Sequence, residues 1–442
     1  MKITFIMPSI GKKADVKKYI KTWQMEPLSI AVLAALTPDH IERKFFDDRL
    51  EKIDYQTETD LVAITVETYT ARRAYEISKK FRDRGIQVIM GGFHPSLNPD
   101  EAQQYADSIL IGEAEGLWQE VIQDASDSSL KKIYQAEKRP ILDNLFPDRS
   151  IYAAKKYLDI GLVETGRGCR FQCDFCTICE FFQQSYTPRP IPDIIKEIRG
   201  LNSRFYFFVD DNIVADISRT KELLAALIPL KIRWFSQGSI NMAKDPELLS
   251  LLKASGCEGV LIGFESLNKQ TLANMNKAVN IKADLDDSIK RIHDAGIRIY
   301  ATFIFGYPND TFETFEETYR YALKHKFFIT AFNHVVPFPG SMLYRKLKAY
   351  GSLLNEKYWL DHSYCFGDVA YTPHSFTPSE LSQLCYRYRK KFFSLPSILT
   401  RLFSKANFSS FKAPFLYLLV NLLSRADVGK RQGLPIGMGE KI

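Results

Sequence analysis

Over roughly the first quarter of the chain, short apolar runs of strand length alternate with longer stretches whose apolar positions recur at helical spacing. The strand-like runs are 3–7, 61–66, 87–90 and 108–111, and the helical ones are 27–36, 71–84 and 115–123. Such alternation predicts a parallel sheet with helices on both faces, a doubly wound Rossmann-like domain over 1–145. Ligands of these sheets sit beyond the carboxyl ends of the strands, where two loops fall, Gly91-Gly-Phe-His-Pro-Ser-Leu-Asn-Pro99 and Gly112-Glu-Ala-Glu-Gly116. Gly91 and Gly92 either admit a ligand close to the backbone or make a tight turn, and His94 reads as a solvated loop histidine. The stretch 131–150, with Pro140, Pro147 and mixed charge, reads as a linker, which sets the boundary near 145.

From Tyr157 the alternation resumes, with strand-like runs at 158–164, 205–209, 233–236, 259–263, 299–305 and 330–335 and amphipathic segments such as 191–199 and 246–254 between them. Six βα units over 146–350 predict a barrel or partial TIM-like (β/α)6 barrel, in which functional groups gather at the carboxyl ends of the strands. Cys169 to Cys176 follow the first strand, Asp210 and Asp211 the second, Glu265 the fourth and Gly306-Tyr307-Pro308 the fifth. Beyond 351 the pattern turns helical and aromatic, clearest at 379–393 and 397–403, and predicts a small helical C-terminal domain over 351–442. No internal repeat is present.

At 442 residues, 45% hydrophobic and 25% charged, the composition is that of a globular protein with room for two or three domains. The opening residues lack the succession of a signal peptide, so secretion is not expected. The apolar run 413–423 contains Pro414 and Asn421 and is about half the length of the roughly 20 residues a spanning helix needs. A net charge of +7 is spread widely, with basic residues concentrated in Arg387 to Lys391 and at Arg401, Lys405 and Lys412. That excess reads as a solvated surface or as attraction to an anionic membrane or acidic substrate.

Seven cysteines, four of them within eleven residues, do not describe a disulfide framework, and such a cluster needs a reducing compartment such as the cytoplasm. The spacing Cys169-x-x-x-Cys173-x-x-Cys176 suits the soft thiolate ligands of an iron–sulfur cluster. An ordinary 4Fe–4S cluster takes four thiolates, so three leave one iron open to a substrate or cosubstrate. A ferredoxin run through Cys179 would place its next ligand at Gln183, so that pattern fails. Structural zinc and inert buried thiols are the alternatives, and zinc would want a second Cys or His pair, which 186–201 does not supply. Cys179 reads as a small core residue.

The three cysteines, with Phe175 directly before the last, resemble the signature of the radical S-adenosylmethionine (SAM) enzymes. Phe207-Phe-Val-Asp-Asp-Asn212 resembles the second-strand motif of the cobalamin-associated branch. Gly256-Cys-Glu-Gly-Val-Leu-Ile-Gly-Phe-Glu-Ser266 is similar to the fourth-strand motif, Thr302-Phe-Ile-Phe-Gly-Tyr-Pro308 to the fifth, and Pro337-Phe-Pro-Gly-Ser341 with Leu343 and Tyr344 to the sixth. Upstream, Met25-Glu-Pro-Leu28, the Gly91-Gly92 loop and Gly112-Glu-Ala-Glu115 look like the cobalamin-binding domain of that branch. No Asp-x-His-x-x-Gly occurs in the sequence, which implies a base-off cobalamin without a protein histidine of that type.

By this resemblance Cys169, Cys173 and Cys176 hold a 4Fe–4S cluster whose open iron chelates SAM, and one electron cleaves SAM to a 5′-deoxyadenosyl radical. Carried over by position, Phe175 lies near the adenine, Asp210 and Asp211 border the SAM amino group or substrate, and Glu265 contacts the ribose. Phe305, Gly306, Tyr307 and Pro308 border the adenine, while Gly91, Gly92, His94, Gly112 and Glu113 fall at the cobalamin site. The implied reaction is hydrogen abstraction from an unactivated carbon followed by methyl transfer from cobalamin, in a small-molecule or lipid pathway. Without cobalamin the radical would serve a rearrangement, cyclisation, oxidation or dehydration. A non-catalytic iron–sulfur or cobalamin sensor is the reading from another class, and intact SAM motifs on two strands speak against it. Expected partners are the substrate and an electron donor such as flavodoxin or ferredoxin, with no nucleic acid. The aromatic, basic C-terminal segment, with Phe392, Phe393, Phe403 and Phe411, caps an apolar substrate, rests on a membrane or packs as core.

Overall fold

The first sheet is built from strands that are buried on both faces. β1 (Lys2–Met7), β3 (Leu61–Thr65) and β4 (Gln87–Gly91) are almost continuously buried, because helices such as Leu28–Leu36 and Ala71–Arg82 cover the sheet. With β2 (Glu42–Asp47), β5 (Ser108–Ile111) and β6 (Ile133–Gln135), the order is β2-β1-β3-β4-β5-β6, every pair parallel. The structure is a computed structural model and describes residues 1–11, 20, 24–408 and 413–437; Phe411 and Lys412 therefore lie outside the described residues.

Two of these strands were not expected from the pattern. β2 opens with Glu42, Arg43 and Lys44 and becomes apolar only at Phe45, as an edge strand does. β6 lies inside the stretch read as a linker: only Tyr134 is buried, and Ile133 and Gln135 face solvent. The rest of that stretch ties the first sheet to the next, since Arg149 pairs with Glu26 at 3.0 Å and with Glu197 at 2.8 Å.

The second sheet runs in chain order. β7 (Gly161–Val163) is followed by a two-stranded ribbon, β8 (Gly166–Arg167) with β9 (Thr187–Pro188), that stands outside the sheet. Then come β10 (Tyr206–Phe208), β11 (Trp234–Gly238), β12 (Cys257–Glu265), β13 (Arg298–Phe305) and β14 (Ile329–His334), paired parallel in the order β14-β13-β12-β11-β10-β7. This is the expected open six-stranded barrel. Asp245, Asp284 and Asp216 cap its outer helices through their side chains, which fixes where each helix begins.

The C-terminal fifth is divided between two places. Helices Pro378–Phe392, Leu395–Leu402 and Ala413–Arg431 stack beyond β14, whereas Tyr358, Trp359, Tyr364 and Ile436 join the core of the first domain. The tail returns through β15 (Cys365–Phe366), antiparallel to β16 (Leu434–Pro435), and the Arg72 guanidinium donates to the carbonyls of Ile436 and Gly437. The apolar run at 413 belongs to a helix of 19 residues. Pro414 sits in its first turn, where no backbone donor is needed, and Asn421 faces inward onto the Phe328 carbonyl at 3.2 Å. Among the described residues no helix is long and apolar enough to cross a membrane.

Candidate active site

The cysteine loop leaves β7 and is held from four sides. Thr165 donates to Asp210 through its amide (2.7 Å) and hydroxyl, and the Gly168 amide donates to Asp211 at 2.8 Å. A Cβ at Gly168 would stand 2.1 Å from the Ser185 carbonyl, and its φ of +92° is one that glycine adopts without strain. Across the barrel mouth, Asp174 receives the Tyr307 hydroxyl at 2.8 Å and Lys346 at 3.2 Å, while its backbone bonds Met275 and Leu343. Asp210 and Asp211, expected beside the SAM amino group or substrate, thus anchor the backbone that launches the cysteines. Burial pushes the Asp210 carboxyl up to about 7 and that of Asp211 to about 6.

Within the loop, Cys173 is buried, and Cys176 precedes the helix Thr177–Phe181. The Cys179 thiol, bonded to the Cys173 and Cys176 carbonyls, also holds the Cys176 thiol down, at about 7, against the effect of burial. Cys179, read as a small core residue, is itself buried. Burial raises Cys173 to about 11 and raises Cys169 as well, and the buried Lys277 ammonium draws both back. Asn212 brings its amide within 3.9 Å of the Cys169 sulfur.

Among the described residues no three His, Cys, Asp or Glu side chains converge closely enough to hold one metal ion. A cluster takes one sulfur per iron and spreads its ligands, so three mutually interacting thiols beside a buried cation suit it.

Glu265 closes β12 in an unusual conformation. Its φ is +64°, and the pairing with β13 shifts register between Gly263 and Glu265. This bulge turns the side chain into the mouth. The carboxylate meets Lys277 at 3.1 Å through Oε1, whereas Oε2 is buried without a partner. Gly263 makes room for it, because a Cβ there would stand 2.1 Å from Oε1. Asn280 donates to the carbonyls of Gly263 (2.9 Å) and Phe264 (2.7 Å) and so fixes the bulge. Burial works against the Lys277 charge, but Glu265 and the cysteine sulfurs outweigh it and raise its pKa. A buried carboxylate oxygen still seeking a donor, next to the cysteines, fits a hydroxylated cosubstrate such as SAM.

The fifth-strand motif divides. Phe305, expected to border the adenine, packs in the core, stacked on Phe315 at 4.0 Å. Gly306 receives the Tyr371 hydroxyl at 3.0 Å, Tyr307 latches Asp174, and Pro308 is exposed. Phe175 lines a cavity of about 260 Å³ with Ile304, Asn333, His334, Phe338 and Arg389. Burial holds the His334 imidazole down, at about 4, so it is neutral at physiological pH.

A second cavity, of about 330 Å³, lies between the two sheets. Gly91, Gly92, Gly112 and Glu113 form one wall; Glu164, Arg167, Phe181 and Phe182, which flank the cysteines, form the other. Gly112 has no atom within 4 Å of its missing Cβ, an open floor against which a flat ligand can lie. Arg167 pairs with Glu113 at 3.2 Å and Glu115 at 2.6 Å, and Phe93 packs on Phe181 at 4.4 Å between ring centres. These contacts join the walls. A glycine-floored, largely apolar slot of this kind fits a macrocycle such as cobalamin.

His94 is not in that slot, nor is it solvated. It is fully buried, with Nε2 3.1 Å from the Tyr75 hydroxyl and 3.2 Å from Glu101, and its ring lies edge-on to Trp359. Burial works against the Glu101 charge, yet hydrogen bonds from His94, Trp359 and Tyr75 hold that carboxyl down at about 2. Lys277, Asn280, Asn212, Asp174 and Arg389 went unnoticed in the sequence, because each lies outside the motifs or, like Asn212, carried no distinct role within one.

The Radical SAM superfamily model matches residues 163–322. Bacteriochlorophyllide d C-12(1)-methyltransferase of Chlorobaculum tepidum is 30% identical over 373 residues, 78% of this chain and 82% of the relative. The C-8(2)-methyltransferase of the same organism is 32% identical over 349 residues, covering 74% and 77%. The structure of the radical SAM methyltransferase TsrM from Kitasatospora setae, with cobalamin and a [4Fe-4S] cluster bound, shares the fold at a TM-score of 0.63 and 16% identity, covering 79% of this chain and 78% of that one. With its cysteine loop at the mouth of a six-stranded barrel and a doubly wound domain closing a cavity against it, the chain belongs to the radical SAM enzymes, in the branch that carries a cobalamin-binding-type domain ahead of the barrel.

Proposed function

We propose that this enzyme methylates an unactivated carbon of an apolar, ring-containing biosynthetic substrate, with cobalamin in the slot between the sheets. The observation that carries the reading is that slot, whose walls are Gly91 and Gly112 on one side and Phe181 and Phe182, just past the cysteines, on the other. The bacteriochlorophyllide methyltransferases support it, because they align along most of both chains at 30% and 32% identity. When bound, the cluster with SAM supplies a hydrogen-abstracting radical and cobalamin supplies the methyl group.

The residues then have distinct tasks. Cys169, Cys173 and Cys176 hold the cluster, and Lys277 keeps their negative charge compensated. Glu265 offers Oε2 to a SAM hydroxyl. Asp174, Asp210 and Asp211 fix the loop, so that the reacting groups meet in one geometry. The substrate sits in the 260 Å³ cavity beside Phe175, with Arg389 toward any anionic group it carries. Phe93, Phe181 and Phe182 exclude water between the two sites. A flavodoxin or ferredoxin reduces the cluster, and a thiol-held cluster suits the reducing cytoplasm. The same reading divides the chain at about 145 and 350, in keeping with the two sheets.

The test is anaerobic reconstitution with iron, sulfide and hydroxocobalamin. Stoichiometric cobalamin beside the cluster, and loss of cobalamin alone in Gly112→Phe, are the expected results. A full cluster with no cobalamin would overturn the methylase reading and leave the barrel assignment intact.

A further inference from the structure

Half of the chain's exposed large hydrophobic side chains among the described residues fall between 395 and 423. The helix Leu395–Leu402 turns Ser397, Ile398, Arg401 and Leu402 inward, and the helix Ala413–Arg431 turns Ala413, Tyr417 and Asn421 inward. Between them Arg401 is fully buried, donating to the Phe327, Phe328 and Phe392 carbonyls and to Asn421. The inner faces are thus fully used. The outer faces are also apolar: Leu395 is 52% exposed, Leu399 55% and Phe403 67%, and on the second helix Phe415 is 73%, Leu419 44% and Leu422 45%. Phe415, Leu419 and Leu422 follow the i, i+4, i+7 spacing of a single helical stripe.

We infer that this outer face docks the enzyme on an anionic lipid membrane. The charge around it selects the occupant. From Cys385 to Ala426 there is no acidic residue, whereas Arg387, Lys390, Lys405 and Arg425 are exposed. A second copy of the same face would set these cations against each other, while an anionic bilayer attracts them and accepts the apolar stripe. The second helix lies along the surface and does not cross it, because Arg425, Asp427, Lys430 and Arg431 charge its last turns. The inference is independent of the catalytic reading and concerns a surface that catalysis does not use.

The test is flotation of the full, cluster-loaded chain with phosphatidylcholine vesicles, with and without phosphatidylglycerol. Flotation with the anionic vesicles is expected, falling at high salt and dropping at least about tenfold in Leu399→Ser/Phe415→Ser/Leu419→Ser. SAM affinity, measured alongside, stays unchanged and shows that the variant is folded. Lys390→Glu/Lys405→Glu weakens flotation with the stripe intact. Absence of flotation at low salt, or equal flotation with neutral vesicles, overturns the inference. So does a concentration-dependent dimer that the triple variant disperses, which would make a second copy the occupant.

Discussion

Gly263→Ala tests whether the β12 bulge exists to aim Glu265. The new Cβ would stand 2.1 Å from Glu265 Oε1 and 3.2 Å from the Lys277 ammonium, so the carboxylate must swing out of place. The displaced group is the flexible end of a side chain, so folding and cluster assembly should survive. What is lost is a charge-assisted hydrogen bond from SAM to the carboxylate, about 1.5–3 kcal/mol. At 1.4 kcal/mol per tenfold, SAM should bind roughly 10–100-fold more weakly. Calorimetry of SAM binding to the anaerobically reconstituted protein reads this directly, with iron content as the control. Glu265→Ala should cost a similar amount, and adding Gly263→Ala to it should cost less than about 0.5 kcal/mol more, because the carboxylate is already gone. Unaltered affinity in either single variant, or simple additivity in the double, would refute this account of the bulge.

Cys173→Ala should abolish cluster assembly, and an unchanged iron content would sink the assignment. Tyr307→Phe removes the hydroxyl from buried Asp174 and should lower stability to denaturant by about 1–3 kcal/mol; an unmoved midpoint would mean the latch carries nothing. Asp310 accepts the Gly306 and Tyr307 amides, and burial raises its carboxyl from 3.8 to about 6. Because the folded state holds that proton more tightly, this contribution to stability is full below 3.8 and is lost as pH rises through about 6. Asp310→Asn should flatten that slope, and an unchanged pH profile of thermal unfolding would refute it. Arg389→Met should raise KM for a carboxylate-bearing substrate about tenfold and leave its neutral ester unaffected, whereas equal loss on both would show a packing role instead.

The legible parts of the site were those with a fixed local spacing. Cys169, Cys173 and Cys176 stand on one short loop, and Glu265 ends a strand whose flanking motif is contiguous, so sequence order carried both. Asp210 and Asp211 were legible in place, but which backbone amides they accept depended on how the loop after β7 folds back. Phe305 and His94 went the other way for one reason. Each lies within two residues of a motif glycine, but the strand or turn points its side chain into the core.

By itself the sequence determined two successive α/β units, a cluster-binding loop and the family, because alternation periods and a short cysteine spacing are local properties of the chain. Only the tertiary structure decided what each carboxylate faces, that Lys277 and Asn280 serve Glu265, and that Tyr358, Trp359, Tyr364 and Ile436 return to the first domain's core. It also decided that one face of the last helices is covered and the other bare. Those facts depend on contacts between residues far apart in sequence, where burial and charge pairing are settled by packing and leave no period to read.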